Sequence, residues 1–464
     1  MSKRFCVALL SVSILLTAFI DVMFAAYELL LEVSREEIVK MSNTVMALPD
    51  IKVKSREENF RIRVLDMDWD IGGMVFEPED PAKIPVDPYG KKIGVFFLHG
   101  GSGDHRSMEK QSLLVARKFG YKVATMTYPG RLYLQDPSRD WPGDTIRPDG
   151  TVRTPIWKKD ELIGKDQYEV IKDASDLAMR KRYGTQIQAA AKEGTVFYYR
   201  MAAWPVAFEE AMKEVCRRNF PEGEYSIYAN GHSTGGPFVN YLTQRVPNIV
   251  GYVGMESTPF SFIYAKMMAV QESVDWKIPF NNLTIRTWRD GARYAGPQAL
   301  ASEGPSALRR LAMLMEEVFE KWEKETNAPQ IKAEYPVHYA VISSLTDAAK
   351  VTARRMKMSP AETDALVKRY VGYCRNMEGP GIKPVPPLFL GISKDSRDHT
   401  QKIYKEIVIP MYGEMKPAPK VRVVRFDAGI HDYMTAEKDL PFGPGGAVVK
   451  MWHDAIMGGY FLKN

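Results

Sequence analysis

Hydrophobic and polar positions follow two rhythms along this chain. Short runs of β-branched and aromatic residues recur, most of them followed by a longer stretch with apolar positions three and four apart. That alternation predicts strands interleaved with helices, and so a mostly parallel sheet covered on both faces. Ile93–Leu98 is a nearly continuous apolar run, the pattern of a central strand buried on both sides. Arg61–Leu65 and Gly73–Phe76 precede it as an opening pair, ended by an acidic, proline-rich turn through Glu77–Pro88. Beyond it Ser107–Phe119 reads as a helix, and Tyr121–Thr127, Tyr225–Ala229, Ile249–Met255, Pro387–Gly391 and Val421–Phe426 read as further strands.

Three stretches break the alternation. Residues 131–199 are polar and rich in Pro, Gly, Asp and Lys, which predicts an irregular excursion with one helix near Gln167–Tyr183. Residues 257–385 are mostly helical in pattern, with Ser306–Glu325 and Ala361–Asn376 the clearest helices, and read as an inserted cap. Both insertions leave the C-terminal end of a predicted strand, the sheet edge where open α/β folds bind ligands. At the N-terminus, Lys3 and Arg4 precede an apolar run over Phe5–Ile20, followed by Asp21 and the small residues Ala25 and Ala26. Residues 1–26 therefore read as an export signal, with an uncleaved anchor through residues 5–20 as the alternative. Residues 27–256 and 386–464 form one α/β body.

Composition narrows the function classes. Of 464 residues, 45% are hydrophobic and 26% charged, so the chain folds and is not a disordered tract. A formal charge of +6 is slight for this length and offers no basic surface for nucleic acid. Three cysteines, with no CxxC pair and no HExxH helix, point to neither a metal nor a redox centre, and no cofactor is expected. Export would permit one disulfide between Cys216 and Cys374 without requiring it. Asp66, Asp68, Asp70 and Glu77 match a calcium loop except that Ile71 stands where glycine is needed, so a strand pair with outward carboxylates is the better reading. Asn282-Leu283-Thr284 is a glycosylation sequence only in a eukaryotic secretory pathway.

The candidate chemistry sits in Gly231-His232-Ser233-Thr234-Gly235, between the strand Tyr225–Ala229 and a helix starting near Pro237. A serine on such a turn needs strained backbone angles. Glycines two residues to either side let strand and helix approach, which exposes the hydroxyl at the helix N-terminus. Leu98-His99-Gly100-Gly101-Ser102-Gly103 ends another strand, and Tyr128-Pro129-Gly130-Arg131 follows the next.

In order and spacing these three motifs resemble those of the α/β-hydrolase superfamily, over roughly residues 60–260 and 385–460. The resemblance implies a serine nucleophile at Ser233 and an oxyanion hole made by the backbone N–H groups of Gly101 and Thr234. It also implies a base at His431, in the loop Phe426-Asp427-Ala428-Gly429-Ile430-His431-Asp432. For the orienting acid it favours Asp395, four residues beyond Gly391, with Asp398 and Glu256 as alternatives. The order Ser233, Asp395, His431 is that of this fold. His99 is expected to pack beneath its loop, His232 to line the pocket, and His399 and His453 to be surface or helix residues. The function implied is a serine hydrolase for small-molecule carboxylic esters, without cofactor. Peptidase, amidase or C–C hydrolase activity on the same scaffold, or a silent binding protein, are the alternatives. The cap, in which Tyr264, Met267, Met268, Trp276, Trp288, Met313, Met315 and Trp322 suggest an apolar lining, is expected to set specificity.

Overall fold

The computed structural model describes residues 27–64, 67–100, 104–133, 156–257 apart from 160, 162, 173–186, 192–194 and 234, then 350, 353, 357–371, 383–395, 404, 409, 412 and 417–462. The expected signal over 1–26, the cap residues 258–349 with the helix expected at Ser306–Glu325, and Asn282, Cys374, Asp398 and His399 lie outside the described residues.

Elements follow in chain order. The first third contains β1 (Tyr27–Val33), α1 (Arg35–Ala47), β2 (Val53–Glu57), β3 (Phe60–Val64), β4 (Met67–Ile71), β5 (Gly73–Pro78), β6 (Lys92–Leu98), α2 (Glu109–Phe119) and β7 (Lys122–Met126). Next come β8 (Tyr168–Lys172), β9 (Ile187–Ala191), α3 (Val196–Asn219), β10 (Tyr225–Gly231), α4 (Gly235–Thr243) and β11 (Ile249–Met255). The chain continues with α5 (Pro360–Val371), β12 (Leu388–Asp395), β13 (Val421–Ile430), β14 (Pro441–Pro444) and α6 (Gly445–Met457).

Nine strands form the main sheet in the order β2-β5-β7-β6-β10-β11-β12-β13-β1. Only β5 runs against its neighbours; every other pairing from β7 to β1 is parallel. The apolar runs account for the middle of this order, because β10 is buried at every residue and β6 at all but its first. Helices α1, α2 and α6 pack together on one face and α3 with α4 on the other. Phe97, Val253, Phe389, Phe426 and Trp452 belong to the core under the first face. The rings of Tyr128, Phe208 and Phe238 interlock under the second, with centroids 4.1 to 5.9 Å apart. From β6 the chain steps to β7 on one side and then returns to β10 on the other, so strand order reverses between β6 and β10. Ligands bind outside the carboxyl ends of strands at such a point.

Several expectations change. Residues 168–172, expected inside a helix, instead form β8, paired antiparallel with β9; Tyr168, Val170 and Ile171 favour a pleated strand over a helix. The acidic segment does form a hairpin, β3 with β4, but Asp70 points inward. It accepts from Arg61 Nε at 2.6 Å, Tyr133 Oη at 2.8 Å and the Lys159 backbone N–H at 2.7 Å. Burial raises the Asp70 pKa, but these donors outweigh it and hold the carboxyl below its usual value. The excursion is thereby tied to the hairpin, and Arg200 adds a second tie by pairing with Glu161 at 2.9 Å over the Trp69 ring. Elements β1 and α1, absent from the strand–helix pattern above, add an edge strand and a helix beside β13. Ser34 caps α1 and Glu37 returns to the Ser34 N–H at 2.9 Å, a capping box. Cys216 is buried in α3, where burial pushes its thiol pKa up.

Candidate active site

Ser233 lies between the last residue of β10 and the first of α4, at φ +51°. A non-glycine residue pays strain in this left-handed region, so the surroundings must hold it there. Ser233 N–H donates to the Glu256 carbonyl at 2.9 Å, and its own carbonyl accepts from Gly236 N–H at 3.0 Å. Next to it, His232 N–H donates to the Leu98 carbonyl at 3.0 Å, which joins the turn to the end of β6. The flanking glycines are required by contact. A Cβ on Gly231 would lie 2.6 Å from Gly235 O, and one on Gly235 would lie 2.6 Å from His99 O and 2.8 Å from Leu98 O. Backbone occupies those places, so no side chain can yield.

His431 follows β13 and reaches back across the sheet edge, with Nε2 2.9 Å from Ser233 Oγ. Behind it the carboxylate is Glu256, whose Oε2 is 3.6 Å from His431 Nδ1. That separation is an ion-pair contact slightly beyond hydrogen-bond length. Glu256 is fully buried at the end of β11, with φ +52°, and its Oε1 accepts from the Ser393 backbone N–H. Asp395, the favoured acid in the sequence, is not the carboxylate placed at His431. Strand β12 continues four residues past Gly391 and carries Asp395 to its exposed end. Glu256 had its own signal, a carboxylate directly after the strand that follows the serine helix.

The two residues implied as oxyanion donors, Gly101 and Thr234, lie outside the described residues. Their loop and turn do meet: a Cβ on Gly100 would lie 3.0 Å from Ser233 Cβ. His99 is buried beneath, its ring 4.2 Å from that of Tyr128 and its Nδ1 donating to Gly100 O at 2.5 Å. Burial, and then the charge of Arg131, lower the His99 pKa well below the usual value, so the ring stays neutral packing. Tyr128 Oη donates to the His99 carbonyl at 2.7 Å and steadies the same loop. His453 lies in α6, stacked 4.4 Å from the Phe119 ring with Nδ1 2.7 Å from Tyr121 Oη, a packing role far from the serine motif in sequence. Among the described residues no group of His, Cys, Asp and Glu is arranged to hold a metal ion.

The main-sheet order from β2 to β13 with β5 reversed, a strained serine between β10 and α4, and a histidine delivered from the end of β13 are the α/β-hydrolase fold. The chain is an α/β-hydrolase-fold protein with a ninth strand, β1, added outside β13.

No family model and no curated protein matches the chain. Solved structures of similar shape include the acylaminoacyl peptidase of Pyrococcus horikoshii, at 11% identity and TM-score 0.37, covering 86% of this chain and 41% of that one. Others are a lipase in its open form, at 13% identity and TM-score 0.39, covering 88% of this chain and 100% of that one, and a ferulic acid esterase, at 11% identity and TM-score 0.32, covering 88% and 97%. The chain thus spans about two fifths of the peptidase's length.

Proposed function

We propose that this protein is a serine hydrolase that cleaves small-molecule carboxylic esters through an acyl-enzyme, with Ser233 as nucleophile, His431 as general base and Glu256 as the orienting acid. The observation that carries this reading is the 2.9 Å contact between His431 Nε2 and Ser233 Oγ, with a buried carboxylate on the far side of the imidazole. Contact with Ser233 as acceptor of its hydroxyl proton requires a lone pair on Nε2, so the proton belongs on Nδ1, facing Glu256.

In the first step Ser233 Oγ bonds to the ester carbonyl carbon as its proton passes to Nε2. The Glu256 carboxylate stabilises the imidazolium that forms. Collapse of the tetrahedral intermediate breaks the carbon–oxygen bond to the alcohol, which leaves with the proton from Nε2. Water then attacks the acyl-enzyme by the same route, giving up a proton to His431, and the acid departs as Ser233 recovers its own. The N–H groups of Gly101 and Thr234 are proposed to hold the oxyanion, where losing one donor costs about 3 to 4 kcal/mol. Esters fit better than amides because an alkoxide needs less protonation to leave. The segment 257–385 is proposed to shape the acyl and alcohol pockets.

Hydrolysis of short p-nitrophenyl esters tests the reading. Ser233→Ala should lower kcat by about a millionfold, to the level left by the oxyanion donors and substrate binding. Equal rates for parent and variant would overturn it.

A further inference from the structure

His232 lies outside the catalytic trio, yet its ring joins both halves of the site. Nε2 is 3.0 Å from the backbone carbonyl oxygen of His431. A carbonyl only accepts, so Nε2 carries the proton and Nδ1 keeps a lone pair. On that other side the ring faces the loop after β6, where a Cβ on Gly100 would lie 3.3 Å from Nδ1. The base of the side chain is fixed to the sheet. His232 N–H donates to Leu98 O at 3.0 Å, its carbonyl accepts from Gly235 N–H at 2.8 Å, and the residue bridges to Met255 of β11. The ring lies near those of His431 and Tyr433, at 5.1 and 5.9 Å between centroids.

His431, by contrast, is the first residue beyond β13, whose next-to-last residue, Gly429, stands at φ +84°. A general base must be held within about half an ångström of its working position. We infer that His232 is a positioning residue for His431: its Nε2–H, donated to the His431 carbonyl, ties the loop to the β10 turn and sets the imidazole at hydrogen-bond distance from Ser233. This rests on the serine hydrolase reading. Burial, followed by the neighbouring His431, lowers the His232 pKa to about 4, so the donor form persists near neutrality and adds no second positive charge beside a protonated His431.

The test compares parent, His232→Gln and His232→Phe on p-nitrophenyl acetate, with Ser233→Ala alongside. His232→Phe should lower kcat by about 10- to 100-fold, the scale of a misplaced catalytic group, with KM within about twofold. His232→Gln, whose amide offers a donor of similar reach, should recover to within about fivefold of the parent. An unchanged kcat in His232→Phe, a loss confined to KM, or a glutamine variant no better than phenylalanine would overturn the inference. Nitrogen-15 NMR of the parent imidazoles gives a readout independent of turnover and of variant folding. It should show His232 protonated on Nε2 alone between about pH 5 and 8; protonation on Nδ1 would sink the assignment. If Ser233→Ala keeps the parent's rate, the hydrolase reading is what fails, and the tautomer still decides the contact.

Discussion

Ser233 and Glu256 face each other across the ends of two adjacent parallel strands, both in the left-handed region at φ +51° and +52°, with the Ser233 N–H donating to the Glu256 carbonyl at 2.9 Å. Proposed nucleophile and acid are therefore parts of one strained backbone unit, independent of the loop that brings the histidine. Strain at two consecutive strand ends persists only where the surroundings enforce it, and here sheet pairing and the α4 N-terminus do so.

Because Glu256 and not Asp395 faces His431, Glu256→Gln should lower kcat on a p-nitrophenyl ester by about 1,000- to 10,000-fold, the scale of an acid-to-amide change behind a catalytic histidine. Asp395→Asn should stay within about twofold of the parent. Steady-state kinetics of the two variants side by side decides between the carboxylates, and a reversed order would refute the assignment.

Gly235→Ala places a methyl 2.6 Å from His99 O, a backbone atom that cannot rotate away. Forced overpacking of this kind costs about 1 to 3 kcal/mol. Guanidinium denaturation should show that loss, and hydrolysis should fall with it because the displaced segment carries Gly100. Stability and rate both unchanged would mean that the close approach of α4 to β6 is not real.

His99 and His232 are both kept neutral by burial, with folded pKa values below the unfolded value. Below about pH 6.5 the unfolded chain binds protons that the folded protein refuses, so stability falls as pH drops. For His232 the fall runs down to about pH 4, at up to about 1.4 kcal/mol per pH unit. Unfolding free energies measured at pH 7, 5.5 and 4.5 should show a shallower slope in His232→Gln than in the parent. Identical slopes would contradict the burial of that ring.

Asp70 accepts from Arg61, Tyr133 and Lys159 while nearly enclosed. Asp70→Ala leaves these three donors without their shared, nearly enclosed acceptor and should cost about 2 to 3 kcal/mol in guanidinium unfolding. A loss under about half a kcal/mol would show that the tie between hairpin and excursion is dispensable.

The readable parts of this fold were those with a strong local cause. The apolar runs of β6, β10 and β11 announce buried strands, and the glycines around Ser233 announce a turn where two backbones touch. Sequence does not show where a strand stops, and so not which carboxylate comes to His431: β12 runs on to Asp395 itself, whereas β11 ends at Met255 and turns sharply at Glu256. Strand β1 was obscured by the apolar segment before it, and α1 by a weak stripe of only Ile38, Ser42 and Val45 on its buried side, although Ser34 and Glu37 spell its cap. The inward turn of Asp70 depends on Tyr133 and Lys159, distant partners that no periodicity near Asp70 encodes.

The central claim is that Ser233, activated through His431 and Glu256, forms a covalent intermediate. A fluorophosphonate probe followed by peptide mass spectrometry tests it most directly. The account predicts a single adduct on Ser233 in the parent and in Asp395→Asn, much slower labelling in Glu256→Gln, and none in Ser233→Ala. An unlabelled parent, or an adduct that survives Ser233→Ala, would contradict it.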